Sequence, residues 1–178
     1  MTAPLFFYGT LQHIPLLEVV LGRPVEASEL VPAVLPGAAV TWVAQQPFPM
    51  IRLGAGDAMR AQGLVMPAAR AEDIARMDFY EGGFDYTLVP VTLEDGRAAR
   101  VYLPGPEVGP PGAAFELDDW AQRWGALSVE SAREVMSYFG QIPAQQVAAR
   151  VHTIRLRAAA RLRAQHVRQN DLTLRGSW

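Results

Sequence analysis

Residues 6–11 read Phe6-Phe7-Tyr8-Gly9-Thr10-Leu11, an aromatic run that stops at a glycine. Leu5 extends the run on its N-terminal side, and an apolar stretch of this length ending in Gly reads as a buried strand entering a turn. Apolar residues at 14, 17, 20 and 21 then keep helical spacing until Gly22. A strand, a turn and a helix therefore follow one another within the first two dozen residues. Further short apolar runs at 30–35, 38–44, 50–53 and 62–66 are each bounded by Pro or Gly, the pattern of short strands in a compact sheet or barrel.

Residues 68–80 carry Ile74, Met77 and Tyr80 at helical spacing. Glu72 and Asp73 fall in the first turn, where the helix dipole favours acids, and Gly82-Gly83 supply a stop. Residues 86–93 and 97–103 flank Glu94-Asp95-Gly96, the clearest hairpin in the chain. Strands and helices do not alternate regularly, which favours an α+β fold over a doubly wound one. Residues 104–112 are rich in Pro and Gly and close the first unit. Two helices are expected at 117–124 and 128–139, separated at Gly125, with Ser128 as N-cap of the second. Pro143 suits the first turn of a third, about 25 residues or ~40 Å long. Val147, Val151, Ile154, Ala158 and Leu162 mark its apolar stripe, and Arg150, Arg157, Arg161 and Arg168 line another side. The expected architecture is a small mixed β-barrel or sheet with flanking helices over residues 1–112, followed by a helical C-terminal extension over 113–178.

The composition of these 178 residues is that of an ordinary globular protein, 50% hydrophobic and 19% charged. Cysteine is absent, which excludes disulfides, a thiolate nucleophile and cysteine-ligated zinc, and fits a cytoplasmic setting. All 16 basic residues are arginine, which excludes a lysine Schiff base and a lysine-type phosphate loop. The first residues lack a basic n-region, so no signal peptide is expected, and Gly, Pro or Arg interrupts every window long enough to span a membrane. The net charge of −2 hides an asymmetry: residues 1–149 carry 9 Arg against 17 acids, residues 150–178 carry 7 Arg against 1 acid. The C-terminal helix thus presents a different kind of surface.

A second segment, Met77-Asp78-Phe79-Tyr80-Glu81-Gly82, places one carboxylate at a helix C-terminus. The negative end of the dipole raises a carboxyl pKa there, and burial beside Phe79, Tyr80 and Phe84 acts in the same direction. By residue type and spacing alone Glu81 reads first as a solvated acid closing a helix, and Asp78 is its rival one turn earlier. No Gly-rich phosphate loop, metal-binding helix pair or Gly-x-Ser-x-Gly elbow occurs, and His13, His152 and His166 form no ligand cluster.

Taken together, Tyr8-Gly9-Thr10-Leu11 and Asp78-x-x-Glu81-Gly82 resemble the two signature motifs of the gamma-glutamylcyclotransferase-like family, over residues 4–104. Pro47-Phe48-Pro49-Met50-Ile51 is similar to that family's proline-containing approach to a central strand. The resemblance implies cyclisation of a γ-glutamyl amine or peptide to 5-oxoproline, the substrate's own α-amine attacking its γ-carbonyl. It assigns Glu81 as general base and acid, and Tyr8, Gly9, Thr10 and Leu11 as the turn that holds the amino-acid end. Tyr86 matches a tyrosine that orients carboxylate or substrate. Arg52 reads equally as a partner for a substrate carboxylate or as a residue on a strand's polar face. No metal or cofactor is implied. The form of the family fused to Nudix hydrolases in tellurite-resistance-associated proteins is similar in its added helices, although no Nudix motif is present here.

An alternative is a non-catalytic or regulatory domain that binds γ-glutamyl ligands. The arginine-rich helix supplies charge for nucleic acid, but it lacks interleaved aromatics and the rest of the chain is acidic, so nucleic acid is not an expected partner. Packing of its apolar stripe on the domain, or on a second copy in a homodimer, is expected instead.

Overall fold

The structure, a computed structural model, describes residues 4–83 and 86–175, the stretch 169–175 as backbone only. The first strand, β1 (Leu5–Phe7), is buried on both faces, which is why it reads as an unbroken apolar run rather than an alternation. Phe6 joins one core with Leu35, Ile51, Val65 and Val101, whereas Leu5 and Phe7 join another with Leu16, Leu17, Met77 and Trp120. The 3₁₀ turn Thr10–Gln12 leads into α1 (Ile14–Leu21), which ends at Gly22 with a left-handed φ of 68°. That helix buries Leu16, Leu17, Val20 and Leu21 almost completely. Each such side chain is worth about 1.5–3 kcal/mol relative to exposure.

Next come β2 (Val31–Pro36), β3 (Ala38–Val43), β4 (Pro49–Leu53) and β5 (Arg60–Met66), then α2 (Ala71–Gly82) and the hairpin β6 (Tyr86–Thr92) and β7 (Ala98–Pro104). Five strands form a mixed sheet in the order β2-β5-β1-β7-β6, in which only the β1–β7 pairing is parallel. A second sheet has the order β4-β3-β8, with β8 at Pro111–Ala114. The chain passes from one sheet to the other at Gly37, whose φ of 67° turns it between β2 and β3. Gly63 on β5 is a packing requirement, since a β-carbon there would lie 2.2 Å from the Phe7 carbonyl oxygen. The fold is α+β, as expected.

Three local expectations differ. The Pro/Gly-rich stretch is not all loop, because β8 pairs with β3 across the expected boundary at 112. Gly125 does not separate one helix from the next: α3 (Leu117–Trp120) runs through a π-helical segment, Ala121–Gly125, into α4 (Ala126–Ser137). Gly125 keeps right-handed helical angles, so Ser128 is inside a helix and is not a cap. Pro143 precedes only a short helix, α5 (Ala144–Ala148), and the long helix α6 (Val151–Arg175) begins after a break.

The C-terminal helices share the domain's interior. Trp120 and Ala132 belong to the core that holds α1, and Ile154 and Ala158 of α6 are fully buried. On the outer side of α6, Arg157 pairs with Glu134, and Arg161 with Glu130 at 2.5 Å and Glu134 at 3.0 Å. Arg157 and Arg161 of the stripe are thus matched to acids of α4, in pairs whose arginine stays open to solvent and which add little stability each. Among the described residues no helix is long and apolar enough to cross a membrane.

Candidate active site

The end of β1, the turn that follows it and the C-terminus of α2 border a cavity of about 340 Å³. Tyr8, Gly9, Thr10 and Leu11 form one wall, and Glu81 and Tyr86 stand in the same lining, joined by Tyr80 and Tyr102. Residues far apart in sequence are brought together because β1 lies centrally in its sheet, pairing with both β5 and β7. The segment Gln46–Pro49 closes another side. It is anchored by Trp120, whose indole Nε1 donates to the Pro47 carbonyl at 2.9 Å.

Two carboxylates border the cavity among the described residues: Glu107 is exposed on a 3₁₀ turn, and Glu81 is the less exposed of the two. It keeps partial exposure toward the cavity, yet enough protein surrounds it that burial pushes its carboxyl up to about 8. No hydrogen bond or ion pair to its carboxylate is present among the described residues. Phe84, expected to help bury it, lies outside those residues. Asp78 is differently placed: it is exposed and accepts a 2.6 Å hydrogen bond from the Tyr102 hydroxyl.

Burial raises the hydroxyls of Tyr8, Tyr80, Tyr86 and Tyr102 above their ordinary values, and the neighbouring Glu81 charge raises each further. All four therefore remain protonated at neutral pH. The Ile51 amide donates to Tyr8, Tyr8 donates to Tyr86, and Tyr86 donates to the Pro49 carbonyl at 3.2 Å. Pro49 also explains Gly9: a β-carbon there would lie 2.7 Å from Pro49 Cγ. The Gly9 backbone itself has φ −121° and ψ −139°, so close approach and not a left-handed turn is what demands glycine. Thr10 and Leu11 open a helical turn, and the first amides of such a turn have no acceptor within it.

A sequence profile of the family described as gamma-glutamyl cyclotransferase, AIG2-like, matches residues 5–122. The chain belongs to the AIG2-like gamma-glutamyl cyclotransferase family. Two solution structures from Arabidopsis thaliana have the same fold. At5g39720.1 is 22% identical with a TM-score of 0.51 over 79% of this chain and 94% of that one. At3g28950.1 is 20% identical with a TM-score of 0.50 over 79% and 88%. No curated protein matches the sequence significantly.

Within this cyclotransferase-family chain, Arg52 lies apart from the other expected site residues. Pro49, Met50 and Ile51 are buried on β4, but Arg52 is exposed and does not border the cavity, so it reads as the strand's polar residue. His13 is half-buried, packed edge-on against Trp120 with ring centres 5.6 Å apart, and is also outside the lining. Arg155 of α6 was not anticipated, yet it borders the cavity with Ser128. It lies beyond the family-matched residues. Its spacing, four residues after Val151 and three before Ala158, sets it on the face of the apolar stripe but does not by itself bring it to a cavity. Among the described residues no group of three acidic or histidine side chains is arranged to hold a metal ion.

Proposed function

We propose that this protein cyclises a γ-glutamyl amine or peptide to 5-oxoproline and releases the amine, with Glu81 carrying the proton. The observation that supports this reading best is that Glu81 and the Tyr8–Leu11 turn border one cavity. The substrate's α-ammonium gives a proton to the Glu81 carboxylate, and the freed amine attacks the γ-carbonyl carbon, forming the ring C–N bond. As the tetrahedral adduct collapses and the bond to the leaving nitrogen breaks, Glu81 returns its proton to that nitrogen, then takes the second proton from the ring nitrogen and passes it on, so that the amine departs as ammonium and the ring keeps one N–H. Atoms and charge balance without water or cofactor.

A carboxyl raised to about 8 is well matched to this task. The substrate's α-ammonium, with a free carboxylate beside it, titrates above the roughly 7.7–8.0 of a chain-terminal amine, so a raised carboxyl accepts its proton with a smaller penalty than an ordinary glutamate would. Arrival of the ammonium favours the ionised carboxylate, which prepares the base when substrate is bound. The amides at Thr10 and Leu11 are suited to the α-carboxylate. The neutral hydroxyls of Tyr8 and Tyr86 supply fixed dipoles beside the reacting carbonyl.

Purified protein incubated with a panel of γ-glutamyl amino acids, amines and peptides should release 5-oxoproline from at least one of them, read by chromatography. Calorimetric binding of such compounds with no product over hours contradicts the proposal and identifies a ligand-binding domain.

A further inference from the structure

Among the described residues Arg155 is the arginine of α6 that borders the cavity, whereas Arg163 and Arg168, further along the helix, are exposed. Arg157 and Arg161 pair with Glu134 and Glu130, and Arg150 lies 6.0 Å from the Tyr138 ring centre. Arg155 is half-buried and has no anionic partner among the described residues. It sits one residue after Ile154, which is fully buried, so the helix holds its guanidinium at the cavity rather than leaving it to wander in solvent. Its charge reaches Tyr80, whose hydroxyl it lowers, but it has no resolved influence on Glu81.

A second, smaller cavity of about 70 Å³ opens from the same place, with Arg155, Ser128, Tyr80 and Pro47 bordering both. Its other walls are mostly apolar, including Trp124, Leu127, Val135 and Val151. Ser131 also borders it; that residue is only 8% exposed, and its buried Oγ has no hydrogen-bond partner among the described residues. A buried hydroxyl without a partner carries a desolvation cost of about 1–3 kcal/mol that a ligand atom can relieve. A half-buried cation without a counter-charge asks for the same relief. Beside them is room for a small apolar side chain.

We propose that Arg155, with Ser128 and Ser131, recognises a carboxylate on the leaving amine, so that the preferred substrates are γ-glutamyl derivatives of small α-amino acids rather than of simple amines. This rests on the cyclisation reading and deepens it: Tyr8–Leu11 holds the glutamyl end, and the helix beyond the family-matched region reads what is attached to it. Arg155 is a specificity-determining residue whose guanidinium forms charge-assisted hydrogen bonds to the leaving group's carboxylate.

The test compares γ-glutamyl-alanine with γ-glutamyl-ethylamide, which lacks only that carboxylate, in the wild type and in Arg155→Gln. Loss of one charge-assisted contact is worth about tenfold or more. The wild type should favour γ-glutamyl-alanine by at least about tenfold in kcat/KM, and Arg155→Gln should bring the ratio near one while ethylamide turnover stays within about twofold. Retained ethylamide turnover also shows that the variant folds. Ser131→Ala should narrow the ratio to an intermediate value. An unchanged ratio in Arg155→Gln, or equal loss on both compounds, overturns the assignment. So does loss of discrimination against γ-aminobutyryl-alanine, which lacks the α-carboxylate instead. If neither compound is turned over, calorimetry on the same pair reads the same ratio as binding, and an Arg155-dependent preference there still supports the subsite. Absence of binding by either compound contradicts the cyclisation reading and this subsite together.

Discussion

The Tyr102 hydroxyl donates to Asp78 at 2.6 Å, while Glu81, three residues further along the same helix, borders the cavity without such a partner among the described residues. Two carboxylates one turn apart thus have different surroundings, one committed to a tyrosine at the helix surface and one left facing the space where a substrate fits. Asp78→Asn preserves an acceptor for Tyr102 and should leave kcat/KM within about tenfold of wild type. Tyr102→Phe should cost about 1 kcal/mol of stability by denaturant titration, the usual worth of one such bond. A collapse of turnover in Asp78→Asn comparable with that in a Glu81 variant would reverse the ranking of the two acids.

Glu81 itself should weaken the fold at neutral pH. Its folded pKa of about 8 lies above the unfolded value of about 4.3, so its contribution is fully present below the unfolded pKa and declines as pH rises toward the folded one. Glu81→Gln removes that decline. The variant should match the wild type near pH 4 and exceed it by on the order of 2 kcal/mol at pH 7, after allowance for the carboxyl's contact with solvent. Urea titrations at several pH values measure the gap; a gap that is constant with pH contradicts the raised pKa.

Gly9→Ala places a methyl 2.7 Å from Pro49 Cγ, a ring fixed on a buried strand. Overpacking of this kind costs about 1–3 kcal/mol, and it pushes the Tyr8–Leu11 turn away from Pro49, to which Tyr86 is bonded. Both the melting temperature and kcat/KM should fall. Normal turnover in a destabilised variant would separate the turn from the chemistry.

Asp73 is 2% exposed and accepts from the Arg23 guanidinium at 3.0 and 2.8 Å and from the Arg70 amide at 3.0 Å. Burial raises its carboxyl, but the Arg23 and Arg70 hydrogen bonds more than offset this and hold it below the ordinary range. Arg23→Gln strands a buried charge and should cost about 3–5 kcal/mol at pH 7. Because the depressed pKa contributes stability above the unfolded pKa of about 3.9 and loses it as pH falls, the deficit should shrink in acid. An equal deficit at pH 3 and pH 7 would point to lost packing instead.

Strands with plain apolar runs were legible in the sequence, and so was the helix ending at Glu81, because hydrophobic period and glycine stops act locally. The strand Pro111–Ala114 was not, since it is exposed along its length and is held by backbone pairing with β3 rather than by its side chains. Gly125 misled for a related reason: it is buried in a continuous helical path, and glycine permits a break without requiring one. Glu81 and the Tyr8–Leu11 turn could be singled out because each is a compact motif. Arg155 could not, because its place at the cavity depends on how α6 packs against α4 and on Ile154 facing the interior. Arg52 stayed open between two readings, because the strand was readable but which of its residues face the cavity was not.

The central claim is that one carboxylate, Glu81, moves the proton in an intramolecular aminolysis. The most direct test measures 5-oxoproline release by wild type and by Glu81→Gln from whichever γ-glutamyl compound the wild type turns over, with ligand binding followed in parallel. General acid–base catalysis is worth about 10²–10⁴-fold. Release should fall by at least about a hundredfold in Glu81→Gln while the substrate is still bound; release at a near-normal rate would contradict the mechanism.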